Sequence, residues 1–310
     1  MSEHIPVLLA ELIAGLSVEP NKDYIDCTLG AGGQAGEILR LNGPAGKVYA
    51  IDLDEKAITL AKKNLKEFAD RLVCIYENYR SLEDIIISSN IATENLGGIY
   101  ADLGISSMQL ADDRGFSFQK DSPLQMSFDE AGVLTAEEIL NNWSEEEIGR
   151  ILRENGEEKF WKLIARKIVE FRGKERIMTT GQLVDIILKI KPRFSSDKIH
   201  PATKTFQALR IAVNDELDGL KDFLPAAIKV LPSRARLAVI SFHSLEDRIV
   251  KHFFKRESID CLCPPQLPQC VCGHHKVINI ITTKPITPSV EEIQSNPRAR
   301  SAKLRVVEKI

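Results

Sequence analysis

Gly30-Ala31-Gly32-Gly33 is a glycine-rich turn, and an acid, Asp52, follows Gly33 by 19 residues. Glycines let a backbone approach a ligand closely, and a helix starting at such a turn presents unpaired N–H groups. An acid about 20 residues further on, at the end of the next strand, accepts hydrogen bonds from ribose hydroxyls. Gly30-x-Gly32-x-x-Ala35 also satisfies the dinucleotide fingerprint. Hydride-transfer enzymes and S-adenosylmethionine (SAM) methyltransferases share this constellation, and a purely structural turn would look the same.

Asp102-Leu103-Gly104-Ile105-Ser106-Ser107 places an acid and two hydroxyls just past an apolar run. In an open α/β sheet such positions line the ligand crevice. Ser106 and Ser107 suit helix capping equally well. His243 and Glu246 follow another apolar run and offer an acid–base pair, although a lone histidine is more often structural. Four of six cysteines, Cys261, Cys263, Cys270 and Cys272, fall within twelve residues, with His274 and His275 beside them. In a cytosolic chain that clustering suggests metal over disulfides, but the C-x-C spacing departs from the C-x2-C of zinc ribbons. Structural zinc and an ordinary Pro-rich loop both remain open. Cys27 and Cys74 sit in strand-like contexts and read as buried thiols.

Elements that could position these groups alternate over the first 110 residues. Tyr24–Leu29, Lys47–Asp52, Leu72–Tyr76 and Gly98–Leu103 read as strands. Helical segments lie between them, one running to about Leu41 and one carrying Ala57, Leu60, Ala61 and Leu65. Such alternation implies a parallel sheet covered on both faces. From about Asp113 to Ala212 helix patterns dominate: Thr135 and Ser144 open helices with capping patterns, and Phe160–Phe171 and Thr180–Ile190 have helical spacing. A helix through Leu217, Leu220, Leu224 and Ile228 and a strand Ala235–Ile240 then resume the α/β pattern. The expected architecture is a doubly wound α/β core, residues 1–112 and 213–310, with an all-helical domain, 113–212, inserted after the fourth strand.

The chain has 310 residues, 44% hydrophobic and 27% charged, and a formal net charge of −3. That composition suits a folded globular protein. No apolar run approaches the roughly 18 residues that span a bilayer, and the acidic start is unlike a signal peptide. A cytoplasmic enzyme with no membrane partner is expected. The near-neutral total conceals polarity: residues 113–158 hold 4 Lys+Arg and 12 Asp+Glu, a net of −8, while 159–210 hold 13 and 4, a net of +9. Lys159, Lys162, Arg166, Lys167, Arg172, Lys174, Arg176, Lys189, Lys191 and Arg193 could neutralise phosphates, or could pair with the acidic helices. Residues 296–310 add five Lys+Arg against one Glu.

Several segments together resemble the RsmH (MraW) family of 16S rRNA cytosine-N4 methyltransferases, nearly end to end. They are His4-Ile5-Pro6-Val7-Leu8-Leu9, Asp102–Ser107 with Gln109-Leu110, Arg114-Gly115-Phe116-Ser117-Phe118, His200–Leu217, Ser241–Arg248 and Asn296–Arg305. The resemblance implies a Rossmann-like SAM-dependent methyltransferase fold, SAM as cofactor, and a decoding-centre cytidine of 16S rRNA, within the 30S subunit, as substrate. A homodimer is compatible with it. It puts SAM contacts on Gly32, Gly33, Gln34, Asp52 for the ribose, Tyr79 against the adenine, Asp102 and Gln109. Two departures stand out: Gln34 where the family usually has His, and Pro123-Leu124-Gln125-Met126-Ser127-Phe128-Asp129 where it usually reads Pro-Leu-Asp-Met-Arg-Met-Asp.

Methylating N4 requires localising an amine lone pair conjugated into the ring and accepting a proton. Asp102 or the adjoining backbone is the first candidate acceptor, unless Asp102 serves SAM alone; His243 and Glu246 are the others. Carbon-5 methylation needs a cysteine nucleophile, usually after proline, and no cysteine here follows one. Phe116, Phe118, Phe206 and Phe242 could stack on a flipped base or pack in a core. The rival readings are a nicotinamide-dependent oxidoreductase on the same sheet and a non-catalytic RNA-binding or ribosome assembly factor.

Overall fold

The structure, a computed structural model, describes residues 6–129, 132–194, 199–264, 266–267 and 269–310. His4 and Ile5 and the side chain of Ser107 lie outside that set. The first part of the chain forms α1 (Leu9–Leu16), β1 (Asp23–Asp26), α2 (Gly33–Leu41), β2 (Val48–Asp52), α3 (Glu55–Asn64), β3 (Leu72–Tyr76), α4 (Leu82–Ser88) and β4 (Leu96–Asp102). Six helices follow: α5 (Ser107–Ala111), α6 (Ala136–Asn142), α7 (Glu145–Glu154), α8 (Trp161–Arg172), α9 (Thr180–Leu188) and α10 (Thr203–Asn214). The remainder is α11 (Glu216–Val230), β5 (Arg236–Ser241), α12 (Ser244–Glu257), β6 (Ile278–Ile280), α13 (Val290–Ser295) and β7 (Lys303–Lys309).

Two compact units result. One comprises the residues up to Gly104 and from Leu217 onward; the other runs from Ile105 to Glu216. From the sequence alone these borders are expected at 112 and 213. The short helix α5 and the last residues of α10 go with the helical unit, because an apolar spacing pattern cannot say which of two cores a short helix joins.

In the first unit the described strands form one sheet in the order β3-β2-β1-β4-β5-β7-β6. β1 to β5 are parallel, while β7 is antiparallel to both β5 and β6. The chain winds outward from β1 to β3, then crosses to β4 and β5, so β1 and β4 are neighbours at the point where direction reverses. Neighbouring side chains point to opposite faces. Ile25, Ile51, Ile99, Leu237 and Val239 pack with Leu82, Leu220, Phe223, Leu224 and Phe254 on one face. Tyr24, Val48, Ala50, Tyr100, Ala238 and Ile240 pack with Leu12, Leu16, Ile38 and Leu39 on the other. Burial on both faces is why these strands read as continuous apolar runs.

β7 has no counterpart among the strands read from the sequence, where Asn296–Ile310 stands out only as a basic tail. Leu304 and Val306 join one core and Val307 the other, whereas Arg305 and Lys303 pair with Asp247 at 2.7 and 3.0 Å. Lys303 and Arg305, two of the five cations of that tail, are therefore committed to Asp247.

The helical unit has its own core, including Leu124, Ile139, Leu140, Ile148, Leu152, Ile164, Ile168, Leu183, Ile187 and Leu209. Its helices begin as the sequence predicts: Thr135 accepts from the Glu138 amide, and Ser144 and Glu147 form a reciprocal capping box.

Candidate active site

In the first unit, β1, β2 and β4 all end in aspartate, at Asp26, Asp52 and Asp102. Parallel strands bring these ends to one edge of the sheet, where the strand order reverses between β1 and β4. That carboxyl edge is where open α/β sheets bind ligands.

Beyond β1 the chain turns through Gly30 (φ 51°) and Gly32 (φ 82°) before entering α2 at Gly33. Both angles lie in the left-handed region, which a side chain disfavours. A Cβ at Gly32 would also come within 2.8 Å of Leu65. Asp52 fastens the turn, since its Oδ2 accepts from the Gly30 amide at 2.8 Å and its Oδ1 from the Asp54 amide at 2.9 Å. Burial raises its carboxyl above the usual range, and those amide bonds oppose the rise. A carboxylate has about four acceptor sites, more than these backbone bonds occupy, so Asp52 can still accept from a hydroxyl.

Gln34, on the first turn of α2, is buried, and its Nε2 donates to Asp102 Oδ2 at 2.7 Å. The Asp102 amide donates to Thr28 Oγ1 at 2.7 Å. Asp102 Oδ1 is buried and has no hydrogen-bond partner among the described residues. Burial pushes the Asp102 carboxyl up to about 7; the Gln34 bond works against this, and the negative charge of Glu246 adds to it. Tyr79 follows β3 in a short 3₁₀ turn, its ring edge-on to Phe223 with centroids 5.2 Å apart.

Asp26 was not singled out from the sequence. It is fully buried, accepts from Tyr100 Oη at 2.6 Å and from the Thr28 amide at 2.9 Å, and is raised to about 7 by burial. An acid closing a strand just before a glycine turn was the available clue. Its contacts tie β1 to β4 directly beneath the site.

His243 and Glu246 form the N-terminal cap of α12. The Glu246 amide donates to His243 Nδ1 at 3.4 Å, and Glu246 Oε2 accepts from the Phe242 and His243 amides at 2.8 and 3.2 Å. His243 Nε2 lies 3.1 Å from Glu246 Oε1. These contacts give both residues a structural task at the end of β5, the strand beside Asp102. Phe242 packs against Gly104, whose φ is 114° and whose added Cβ would lie 3.1 Å from the ring.

Gln109 belongs to the helical unit, where it forms a capping box with Ser106: Gln109 Oε1 accepts from the Ser106 amide at 3.0 Å and Ser106 Oγ from the Gln109 amide at 3.2 Å. Phe116 and Phe206 are buried in that unit's core and Phe118 packs against it, so packing accounts for these rings. In the segment that departs from the family pattern, Ser127 Oγ donates to the Asp129 carbonyl at 2.7 Å. Asn214 holds the same segment through the Phe128 amide and the Met126 carbonyl, both at 2.8 Å.

The basic stretch is divided. Arg176 pairs with Glu137 at 2.8 Å, Lys191 with Glu158 at 2.7 Å and Arg166 with Glu145 at 3.9 Å, all acids of the preceding stretch. Lys159, Lys174, Lys189 and Arg193 are exposed and make no ion pair among the described residues. No described helix is long and apolar enough to cross a membrane.

The family described as the MraW methylase family matches residues 1–310. A protein of Brevibacillus brevis is 45% identical over 99% of this chain and 98% of its own length. One from Caldicellulosiruptor saccharolyticus is 46% identical over the full length of both chains, and one from Symbiobacterium thermophilum is 46% identical over 99% of this chain and 96% of its own. All three bear the name ribosomal RNA small subunit methyltransferase H.

Proposed function

The chain belongs to the MraW methylase family, and on that premise we propose that it methylates the exocyclic N4 of a decoding-centre cytidine in 16S ribosomal RNA. Its methyl donor is SAM, which when bound supplies an electrophilic methyl group on a sulfonium centre. The observation that carries this reading is Asp102 Oδ1, a buried carboxylate oxygen without a partner among the described residues, at the end of β4.

The residues present fit such a donor. The turn through Gly30 and Gly32 keeps its backbone open to a ligand, and Asp52 can still accept from a ribose hydroxyl. Tyr79 offers a ring face for an adenine on the side of β3. Gly33 and Gln34 begin α2, whose N-terminus presents backbone donors. Asp102 Oδ1 accepts a hydrogen from N4, which raises the nucleophilicity of the amine, and takes the proton as the amine reacts. A carboxyl raised to about 7 is matched to proton transfer near neutral pH. Gln34 fixes the orientation of that carboxylate through Oδ2. His243 and Glu246 act as positioning residues that hold the end of β5 against it.

The exposed cations of the helical unit suit contacts with phosphates, and a ribosomal RNA substrate implies work in the cytoplasm. The test is methyl transfer from labelled SAM to purified 30S subunits and to free 16S rRNA, followed by mass mapping of the product. N4-methylcytidine at the decoding centre is expected, with 30S the better substrate. SAM binding with every cytidine unchanged would favour a non-catalytic assembly factor instead.

A further inference from the structure

Between α12 and β6 the chain leaves the sheet edge in a loop whose base is closed by the Val277 amide donating to the Glu257 carbonyl at 3.0 Å. Among its described residues little apolar packing holds this loop: Leu262, Leu267 and Val271 are 44, 46 and 78% exposed. Yet it brings four thiols together. The Sγ atoms of Cys261, Cys263, Cys270 and Cys272 all lie within 4.8 Å of one another. Cys261 and Cys270 are 3.4 Å apart, Cys270 and Cys272 3.5 Å, and Cys261 and Cys272 3.9 Å.

These separations discriminate between the ways four cysteines can be used. A disulfide needs its sulfurs about 2.05 Å apart, and all four thiols are free. Four thiolates around one ion at about 2.3 Å lie about 3.8 Å apart when tetrahedral, close to the separations among Cys261, Cys270 and Cys272, and Cys263 lies within 4.8 Å of all three. A cluster of several irons would hold its ligands wider than that. The backbone fits as well: the Leu262 amide donates to Cys272 Sγ at 3.3 Å and the Val271 amide to Cys263 Sγ at 3.4 Å, so each C-x-C arm supports a sulfur of the other. Such N–H donors stabilise thiolate charge around a metal. His274 is occupied elsewhere, its Nε2 2.9 Å from the Arg256 carbonyl.

We infer that Cys261, Cys263, Cys270 and Cys272 bind one zinc ion as a closed tetrathiolate site that ties the two C-x-C arms of this loop together. Zinc is the borderline-soft divalent ion that favours four sulfurs in a tetrahedron, and a site with no open position is structural. Binding converts the thiols to thiolates and releases their protons to solvent. The site stands on the geometry of this loop and is independent of the proposed methyl transfer.

The test is metal analysis of the full chain purified without chelator under reducing conditions. One zinc per chain is expected, released in step as a mercurial titrates the four thiols. Cys261→Ser combined with Cys270→Ser should abolish zinc while S-adenosylhomocysteine affinity stays within about twofold of the parent. Negligible metal with four freely reactive thiols in the unaltered protein would overturn the site. So would a mass four hydrogens lighter, which marks two disulfides, or bound iron and sulfide in place of zinc.

Discussion

Gln34 Nε2 donates to Asp102 Oδ2 at 2.7 Å, and the other oxygen of the carboxylate is buried without a partner among the described residues. Two neighbours pull the acidity of Asp102 in opposite directions within a rise set first by burial: the Gln34 bond lowers it and the charge of Glu246 raises it. Opposite shifts in a single pH profile follow. Gln34→Ala should move the acidic limb of kcat/KM to higher pH and cost about 10- to 100-fold at neutrality, the worth of a hydrogen bond to a charged group. Glu246→Gln, which keeps an oxygen for the Phe242 and His243 amides, should move the limb to lower pH with little loss of stability. Shifts in the same direction would remove Asp102 from proton transfer.

Folding should register the same carboxylates. Asp26 and Asp102 are each raised from 3.8 to about 7 in the folded protein. Between those values the folded state binds more protons than the unfolded one, so stability falls as pH rises. The ligand-free protein should be most stable below about pH 4 with respect to these two groups, and should lose stability steadily as the pH rises toward about 7. Urea unfolding of the parent and of Asp102→Asn across that window checks it, with a shallower decline expected for the variant.

Asp52→Ala should weaken S-adenosylhomocysteine binding by about 10- to 100-fold, because it removes a charged acceptor of hydrogen bonds. Calorimetry measures the loss, and circular dichroism should show the sheet intact, since Asp52 stands at the end of β2 and not in its core. Unchanged affinity would take Asp52 out of the site.

Binding to 30S subunits should depend on the exposed cations that lack ion pairs. Lys174→Ala with Lys189→Ala should weaken binding at every salt concentration and reduce the salt slope by about one to two. Arg176→Ala removes a cation already paired with Glu137, so its effect on the slope should be smaller.

The sequence was most informative where one residue type answers one physical demand. The glycine turn, the acids closing β2 and β4, and the caps at Thr135 and Ser144 are local requirements, so they were readable without the fold. Asp26 was harder, because its importance comes from Tyr100 on another strand. The bond from Gln34 to Asp102 spans 68 positions and could not be foreseen from the family's usual histidine. His243 and Glu246 were legible as chemically capable residues, yet only the structure shows how fully capping α12 employs them. β7 was missed because strand residues buried beside paired arginine and lysine resemble a basic tail until Asp247 is placed against them.

The position of the helical unit in the chain bears on how the molecule is made. β4 and β5 lie side by side, but everything from Ile105 to Glu216 intervenes before the chain returns. Closing so long a connection costs entropy that local helical contacts do not. The helical unit is one continuous segment and can condense first, shortening the free chain that separates the two strands. Asp102 owes its raised proton affinity to enclosure, which requires β5 and α12 to be in place. A chain in which β5 and α12 have yet to dock would therefore lack the enclosure that raises the Asp102 carboxyl.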